Sequence, residues 1–143
     1  MKIYFAGSIV GGQENAQIYA QIVEYLLAKG YEVPSAPVVR PDLLDWEKRT
    51  PPSLIYERDI AWVRESEVMI AEVSTSSMGM GYEIATALQW GKPVLCLHRQ
   101  GSTVSKIILG NTEPNITVES YTSLIDGFLS GLSNPRGEVA NKV

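Results

Sequence analysis

The chain has one cysteine, Cys96, and one histidine, His98. A lone cysteine excludes an intrachain disulfide and fits a reducing compartment, so the expected location is the cytoplasm. His98 has no second histidine, no cysteine and no carboxylate at ligand spacing, so a metal centre has no support and His98 reads as an ordinary strand-end residue. No apolar run approaches the roughly 18 residues of a membrane-spanning helix. The opening Met1-Lys2-Ile3-Tyr4-Phe5-Ala6-Gly7 is broken by glycine too early for a secretory leader. Cations are few: 12 Lys and Arg stand against 16 Asp and Glu, a net charge of −4. That balance argues against a nucleic-acid polymer as partner, yet a few backbone N–H groups suffice to hold one small anion. Also missing are Gly-x-Gly-x-x-Gly, the Gly-Lys-Ser/Thr of a Walker loop and a nucleophile elbow for Ser/His/Asp hydrolysis.

What remains is an ordinary globular composition, 45% hydrophobic and 20% charged over 143 residues, enough for one domain with a real core. Apolar runs at 2–6, 31–33, 67–73, 93–98 and 115–118 alternate with helical patterns at 14–29, 50–66, 79–91, 101–109 and 120–132. Near-continuous apolar strands between helices predict a single doubly wound α/β domain of Rossmann or flavodoxin type over residues 1–132. Its sheet is expected to have five parallel strands in the order 2-1-3-4-5. Residues 133–143 are polar and read as a frayed tail. The connection at 34–50, with Pro34, Pro37 and Pro41, is long for a compact domain and includes a possible helical turn at 41–48. Thr50-Pro51-Pro52 looks like a helix start with threonine as N-cap.

Two turns are rich in glycine and hydroxyls: residues 7–12 after the first strand, and Ser74-Thr75-Ser76-Ser77-Met78-Gly79-Met80-Gly81 after the third. In the expected order those strands are neighbours, so both turns converge on the crevice at their carboxyl ends. The helix after the second turn is apolar nearly all round, with Glu83 in its expected first turn and facing the sheet. Alone, that carboxylate is a weak signal, either a dipole-matched helix start or a reacting group. Asp59 is the stronger signal. It lies amid the apolar arc of Ile55, Tyr56, Ile60, Trp62 and Val63, where an unpaired carboxylate costs several kcal/mol, roughly. It therefore needs a partner or a chemical role.

Taken together, Met1 to Gly12, Glu57-Arg58-Asp59, Ala71-Glu72-Val73, Gly79-Met80-Gly81-Tyr82-Glu83 and Leu95-Cys96-Leu97 resemble the 2′-deoxynucleoside 5′-phosphate N-hydrolase family (the Rcl type). That family lies within the nucleoside 2-deoxyribosyltransferase superfamily, and the likeness spans residues 1 to about 130. The resemblance implies a Rossmann-like homodimer that cleaves the N-glycosidic bond of deoxynucleoside monophosphates. It implies Glu83 as nucleophile, Asp59 as acid/base carboxylate and Tyr4 as a catalytic-site tyrosine. Ser8, Ile9, Gly11, Ser77 and Gly79 match nucleotide- and phosphate-contacting positions, and Ser105, beside Ile107, matches a phosphate ligand given by the partner subunit. One departure stands out: Val10 occupies a position where the family usually has arginine, so a charge-assisted phosphate contact is lost. Arg40, Arg49, Arg99 and Lys106 are the candidates to replace it.

Elementary chemistry agrees. Loss of a base from C1′ leaves an oxocarbenium-like sugar that a carboxylate can trap as an ester, the logic of retaining glycoside hydrolysis carried to a C–N bond. On this reading Glu83 is ionised, favoured by helix-start N–H groups, and Asp59, with a raised pKa, protonates the leaving base. No cofactor is needed. Three alternatives stay open: a deoxyribosyltransferase, a ribonucleotide N-glycosidase, and a non-catalytic nucleotide-binding module in which Glu83 and Asp59 are structural.

Overall fold

The computed structural model describes residues 1–10, 12–39 and 42–123, without the side chains of residues 12, 13, 38 and 39. Strand β1 (Ile3–Gly7) leads into helix α1 (Gly12–Ala28). A 3-10 turn (Ala36–Val39), α2 (Leu43–Arg49) and α3 (Pro52–Glu65) follow. Then come β2 (Val68–Glu72), α4 (Met78–Gln89), β3 (Val94–Arg99), α5 (Lys106–Leu109) and β4 (Ile116–Tyr121). All pairings are parallel and the strands lie side by side in chain order, β1-β2-β3-β4.

This is an α/β fold with a parallel sheet, but among the described residues it is four-stranded rather than five-stranded, and the expected order 2-1-3-4-5 is corrected accordingly. The segment at 31–33 does lie beside β1, yet it makes only one bridge, Lys2 to Glu32. Two hydrogen bonds hold it: Ile3 N–H to the Glu32 carbonyl at 2.8 Å and Glu32 N–H to the Met1 carbonyl at 3.1 Å. Gly30, with φ of 83°, turns the chain just before it, and Pro34 just after it has no N–H to extend a ladder. The fourth and fifth expected runs become β3 and β4. The last strand runs on to Tyr121, which is buried in the sheet core and not on a following helix. Residues 122 and 123 of the expected helix at 120–132 form a bend, and its remainder at 124–132 and the tail at 133–143 lie outside the described residues. The expected helix at 101–109 shrinks to the four residues of α5.

Strand alternation divides the core in two. Ile3, Phe5, Val68, Ile70, Leu95 and Leu97 face α1 through Tyr19, Ile22 and Leu26. Tyr4, Ala6, Met69, Ala71, Val94 and Cys96 face α3 and α4 through Val63, Ile84 and Ala87. Each fully buried aliphatic or phenyl group contributes about 1.5–3 kcal/mol. The second face is the one on which the candidate site lies.

Two local details shape the carboxyl end of the sheet. Tyr19 reaches under the first turn, its hydroxyl accepting from Ser8 N–H at 3.0 Å. Its ring occupies the space a side chain on Gly7 would need, since a Cβ there would lie 2.6 Å from Tyr19 Cζ. Because Tyr19 is itself buried and cannot move aside, Gly7→Ala is expected to cost about 1–3 kcal/mol by overpacking, read as a lower midpoint in urea denaturation. The first turn is also tied to the second, as Asn15 Nδ2 donates to Thr75 Oγ1 at 2.8 Å.

Candidate active site

Helix α4 begins at Met78, not Gly79: the Ser77 hydroxyl caps it by accepting from Met80 N–H at 3.2 Å. Glu83 therefore sits in the second turn, and the first turn holds no acidic residue. This corrects the expected placement and removes the dipole-matching explanation, since that effect fades beyond the first turn. Residues Gly79, Tyr82 and Glu83, three and four apart, share one face of α4.

That face closes a cavity of about 630 Å³ whose other walls include Asp59 and Ile60 of α3 and Glu47 and Lys48 of α2. The volume suits a small-molecule ligand. Tyr56 and Tyr82 flank the same cavity, their ring centroids 6.2 Å apart. Tyr4, buried on β1, lies on the sheet side of Glu83, and its hydroxyl favours the ionised carboxyl. Thus Tyr4, Asp59, Gly79 and Glu83, distant in sequence, come together.

The electrostatics differ from the sequence expectation. Glu83 is hard to ionise. Burial, then the charge of Asp59, push it up to about 7 against the opposing effects of the Tyr4 hydrogen bond and Arg58. Burial and the nearby Glu83 and Asp59 carboxylates likewise raise the Tyr4 phenol well above its ordinary value, so it stays a hydrogen-bond donor. Asp59 has the partner its position demanded. Arg58 Nε donates to Asp59 Oδ1 at 2.7 Å, and Nη2 lies 2.7 Å from the same oxygen. Arg58 Nη2 also lies 3.4 Å from Glu47 Oε1. Burial raises Glu47 above the ordinary carboxylate range despite Arg58.

The remaining expected site residues divide. Ser77, Ser105 and Ile107 line a second cavity of about 470 Å³ on the opposite side of the α4 start. Ser105 and Glu83 therefore do not share a cavity within one protomer. Ser8 is buried at the end of β1, its Oγ without a hydrogen-bond partner among the described residues, while Ile9 and Val10 are exposed. Gly11 and Arg40 lie outside the described residues. Arg99 is engaged with Glu14 Oε1 at 2.8 Å and Asn15 Oδ1 at 3.0 Å, and Arg49 with the Asp45 carbonyl at 3.1 Å. Thr50 does not cap α3, whose N-cap is Pro51. Its hydroxyl donates back to the Trp46 carbonyl at 2.7 Å and closes α2.

Sequence reasoning missed Glu47 and the role of Arg58. The only available signal was three charges in a row at 57–59. It also missed Glu72, a buried carboxylate at the end of β2 that accepts from the Tyr121 hydroxyl at 2.9 Å and from the Ser74 hydroxyl. Ser74 in turn accepts from Arg99 N–H at 2.8 Å, so this network steadies the turn leading into α4. Among the described residues no cluster of His, Cys, Asp and Glu could hold a metal ion, and no helix is long and apolar enough to cross a membrane.

The parallel-sheet α/β fold is shared with two solved structures. A CMP N-glycosidase from Clostridium botulinum superposes with a TM-score of 0.66, covering 94% of this chain and 100% of that one at 19% identity. A 2-deoxyribosyltransferase from Bacillus psychrosaccharolyticus gives 0.64 over 88% and 89% of the two chains at 16% identity. At those identities the likeness is one of fold.

Sequence relationship is closer. The nucleoside 2-deoxyribosyltransferase family model matches residues 3–128, and the chain belongs to that family. A Methanococcoides burtonii protein named as a 2′-deoxynucleoside 5′-phosphate N-hydrolase is 42% identical over 121 residues, 85% of this chain and 99% of the relative. The mouse 5-hydroxymethyl-dUMP N-hydrolase is 40% identical over 112 residues, 76% of this chain and 64% of the relative.

Proposed function

We propose that the protein is a hydrolase that cleaves the N-glycosidic bond of 2′-deoxynucleoside 5′-monophosphates, releasing a free base and 2-deoxyribose 5-phosphate. The observation that carries this reading is the meeting of Glu83 with Asp59 in one cavity, with Tyr4 acting on Glu83. Relatives of this chain carry N-hydrolase names at 38–42% identity.

Glu83 attacks C1′ as the C1′–N bond breaks, and Asp59 delivers a proton to the departing base. Asp59, now a carboxylate, takes a proton from water, whose oxygen attacks C1′ and frees Glu83. Glu83, with its pKa near 7, brings a proton into the cavity at neutral pH. Passing it to Asp59 leaves a charged nucleophile beside a loaded acid. Tyr4 orients Glu83 throughout and, staying protonated, stabilises its charge.

The phosphate is assigned to the hydroxyl- and N–H-rich segments around Ser8, Ile9, Gly11, Ser77 and Gly79. Ser105 and Ile107 serve the partner's site in a homodimer. One feature supports that arrangement: Met78, Ile107 and Leu109 near Ser105 are 94%, 82% and 52% exposed. Apolar side chains that exposed mark an association surface. Ser105→Ala is expected to raise KM for a monophosphate roughly tenfold, the worth of one hydrogen bond to a charged group, while sedimentation still reports a dimer. A fully active monomer would rule the shared site out.

The decisive assay incubates the protein with each of the four deoxynucleoside monophosphates, with and without a second free base, and separates products by chromatography. Free base without an acceptor is the expected result. Base exchange only when an acceptor is present would make the protein a deoxyribosyltransferase. Ligand-dependent melting shifts without any base release would make it a nucleotide-binding module.

A further inference from the structure

The hydrolase reading uses Asp59, Glu83 and Tyr4 but leaves unexplained the most heavily engaged cation of the site. Arg58 is sandwiched between two indoles, its guanidinium carbon 4.7 Å from the Trp46 ring centroid and 4.7 Å from that of Trp62. Stacking of this kind suits the planar guanidinium, which is weakly hydrated and keeps its donors free at the edge. Those edge donors go to two carboxylates on two helices, Asp59 of α3 at 2.7 Å and Glu47 of α2 at 3.4 Å. Burial opposes the guanidinium charge, but the bonds to Asp59 and Glu47 outweigh it.

The detail that matters is where the donors land. Nε and Nη2 both fall on Oδ1 of Asp59, so the guanidinium holds one carboxylate oxygen and leaves Oδ2 unclaimed by it. A carboxyl gripped at one oxygen keeps a fixed plane and presents the other oxygen in one direction. Arg58 also reaches beyond its own helix. Trp46 and Glu47 both belong to α2, whose only buried side chain is Leu43, and α2 lends Glu47 and Lys48 to the cavity wall.

We propose that Arg58 is a positioning residue for the reaction: held between Trp46 and Trp62, it orients Asp59 towards Glu83 and fastens α2 over the cavity. This deepens the proposed hydrolase function and rests on it for its catalytic consequence, though not for its electrostatic one. The groups that shift Glu83 are Asp59 and Arg58 from α3, Glu47 from α2 and Tyr4 from β1, while Lys48 of α2, Tyr56 of α3 and Tyr82 of α4 also line its cavity. Arg58 is the one cation that acts on Glu83, so its removal makes Glu83 still harder to ionise.

The test compares wild type, Arg58→Lys and Arg58→Gln. One readout is the carboxyl carbon resonance of Glu83 across pH, assigned with Glu83→Gln. The other is the pH profile of kcat and kcat/KM on the preferred deoxynucleotide. In Arg58→Gln the Glu83 titration and the acidic limb of kcat/KM are expected to move up together by roughly half to one pH unit, as for loss of a nearby opposite charge. Its kcat should fall about tenfold at the optimum as Asp59 loses its orientation. Arg58→Lys keeps the charge, so its limb should stay near that of wild type, while kcat still falls because an ammonium cannot replace the stacked fork. Should Arg58→Gln fail to fold, Trp46→Leu, at a side chain 40% exposed, removes one wall of the clamp and should lower kcat in the same direction.

A folded Arg58→Gln with an unmoved Glu83 titration and an unmoved limb would overturn the proposal. So would equal losses in the Lys and Gln variants without any shift, which is what mere structural damage gives. A wild-type protein that releases no base would sink the hydrolase reading instead, and the resonance titration would then decide the Arg58 coupling alone.

Discussion

Glu83→Gln is expected to lose turnover by roughly four orders of magnitude or more while gaining stability above neutral pH. The loss follows from chemistry: an amide cannot form the glycosyl ester, and removing a nucleophile is among the costliest single changes to an enzyme. The gain follows from linkage. The Glu83 pKa is raised from 4.5 to about 7 in the fold, with burial as the first cause. Between those two values the folded protein binds more protons than the unfolded chain, so stability falls as pH rises through this window. The contribution is at most about 3 kcal/mol, since each tenfold change in an ionisation constant is worth about 1.4 kcal/mol. Glutamine keeps an acceptor for the Tyr4 hydroxyl and has no charge to bury. Denaturation at pH 8 should therefore show the variant more stable than wild type, and at pH 4.5 the difference should vanish. An equal or lower stability at pH 8 would mean that Glu83 ionises in the fold without penalty.

Asp59→Asn is expected to lower kcat by about 10²- to 10⁴-fold, the usual worth of a general acid or base. The asparagine oxygen can still accept from Arg58, so the change removes the proton and not the geometry. The loss should depend on the leaving group. A deoxynucleotide of 7-methylguanine departs as a neutral base without being protonated, so Asp59→Asn should form the glycosyl-enzyme from it at close to the wild-type rate. Glu83→Gln should gain nothing from the same substrate. If both variants respond alike, the division of labour between the two carboxyls is wrong.

Much of this arrangement was legible in the residues. Apolar runs with helices between them marked the parallel sheet, and a carboxylate on the apolar arc of α3 marked Asp59, which does line the cavity with Glu83. The fifth strand was not legible as absent, because Tyr31 and Val33 have strand character and the limit is set by Gly30 and Pro34 on either side. The start of α4 was misjudged because glycine at 79 looked like the turn, whereas Ser77 makes the cap. That error carried an electrostatic one with it: a first-turn Glu83 would be eased into its charged form, and a second-turn Glu83 buried near Asp59 is not. The Arg58 clamp was out of reach for another reason. Trp46 and Arg58 are separated by the end of α2 and the Thr50-Pro51-Pro52 turn. No periodicity links side chains across such a break, so their stacking is decided by tertiary packing alone.

Mass spectrometry of acid-quenched reactions most directly tests whether Glu83 captures the sugar. Asp59→Asn, fed the 7-methylguanine deoxynucleotide, should accumulate the intermediate because water activation is then slow. The peptide containing Glu83 is expected to carry the added mass of one 2-deoxyribosyl 5-phosphate unit, absent from Glu83→Gln treated in the same way. Base release with no adduct on any peptide, or an adduct on a residue other than Glu83, would contradict a covalent mechanism at this position.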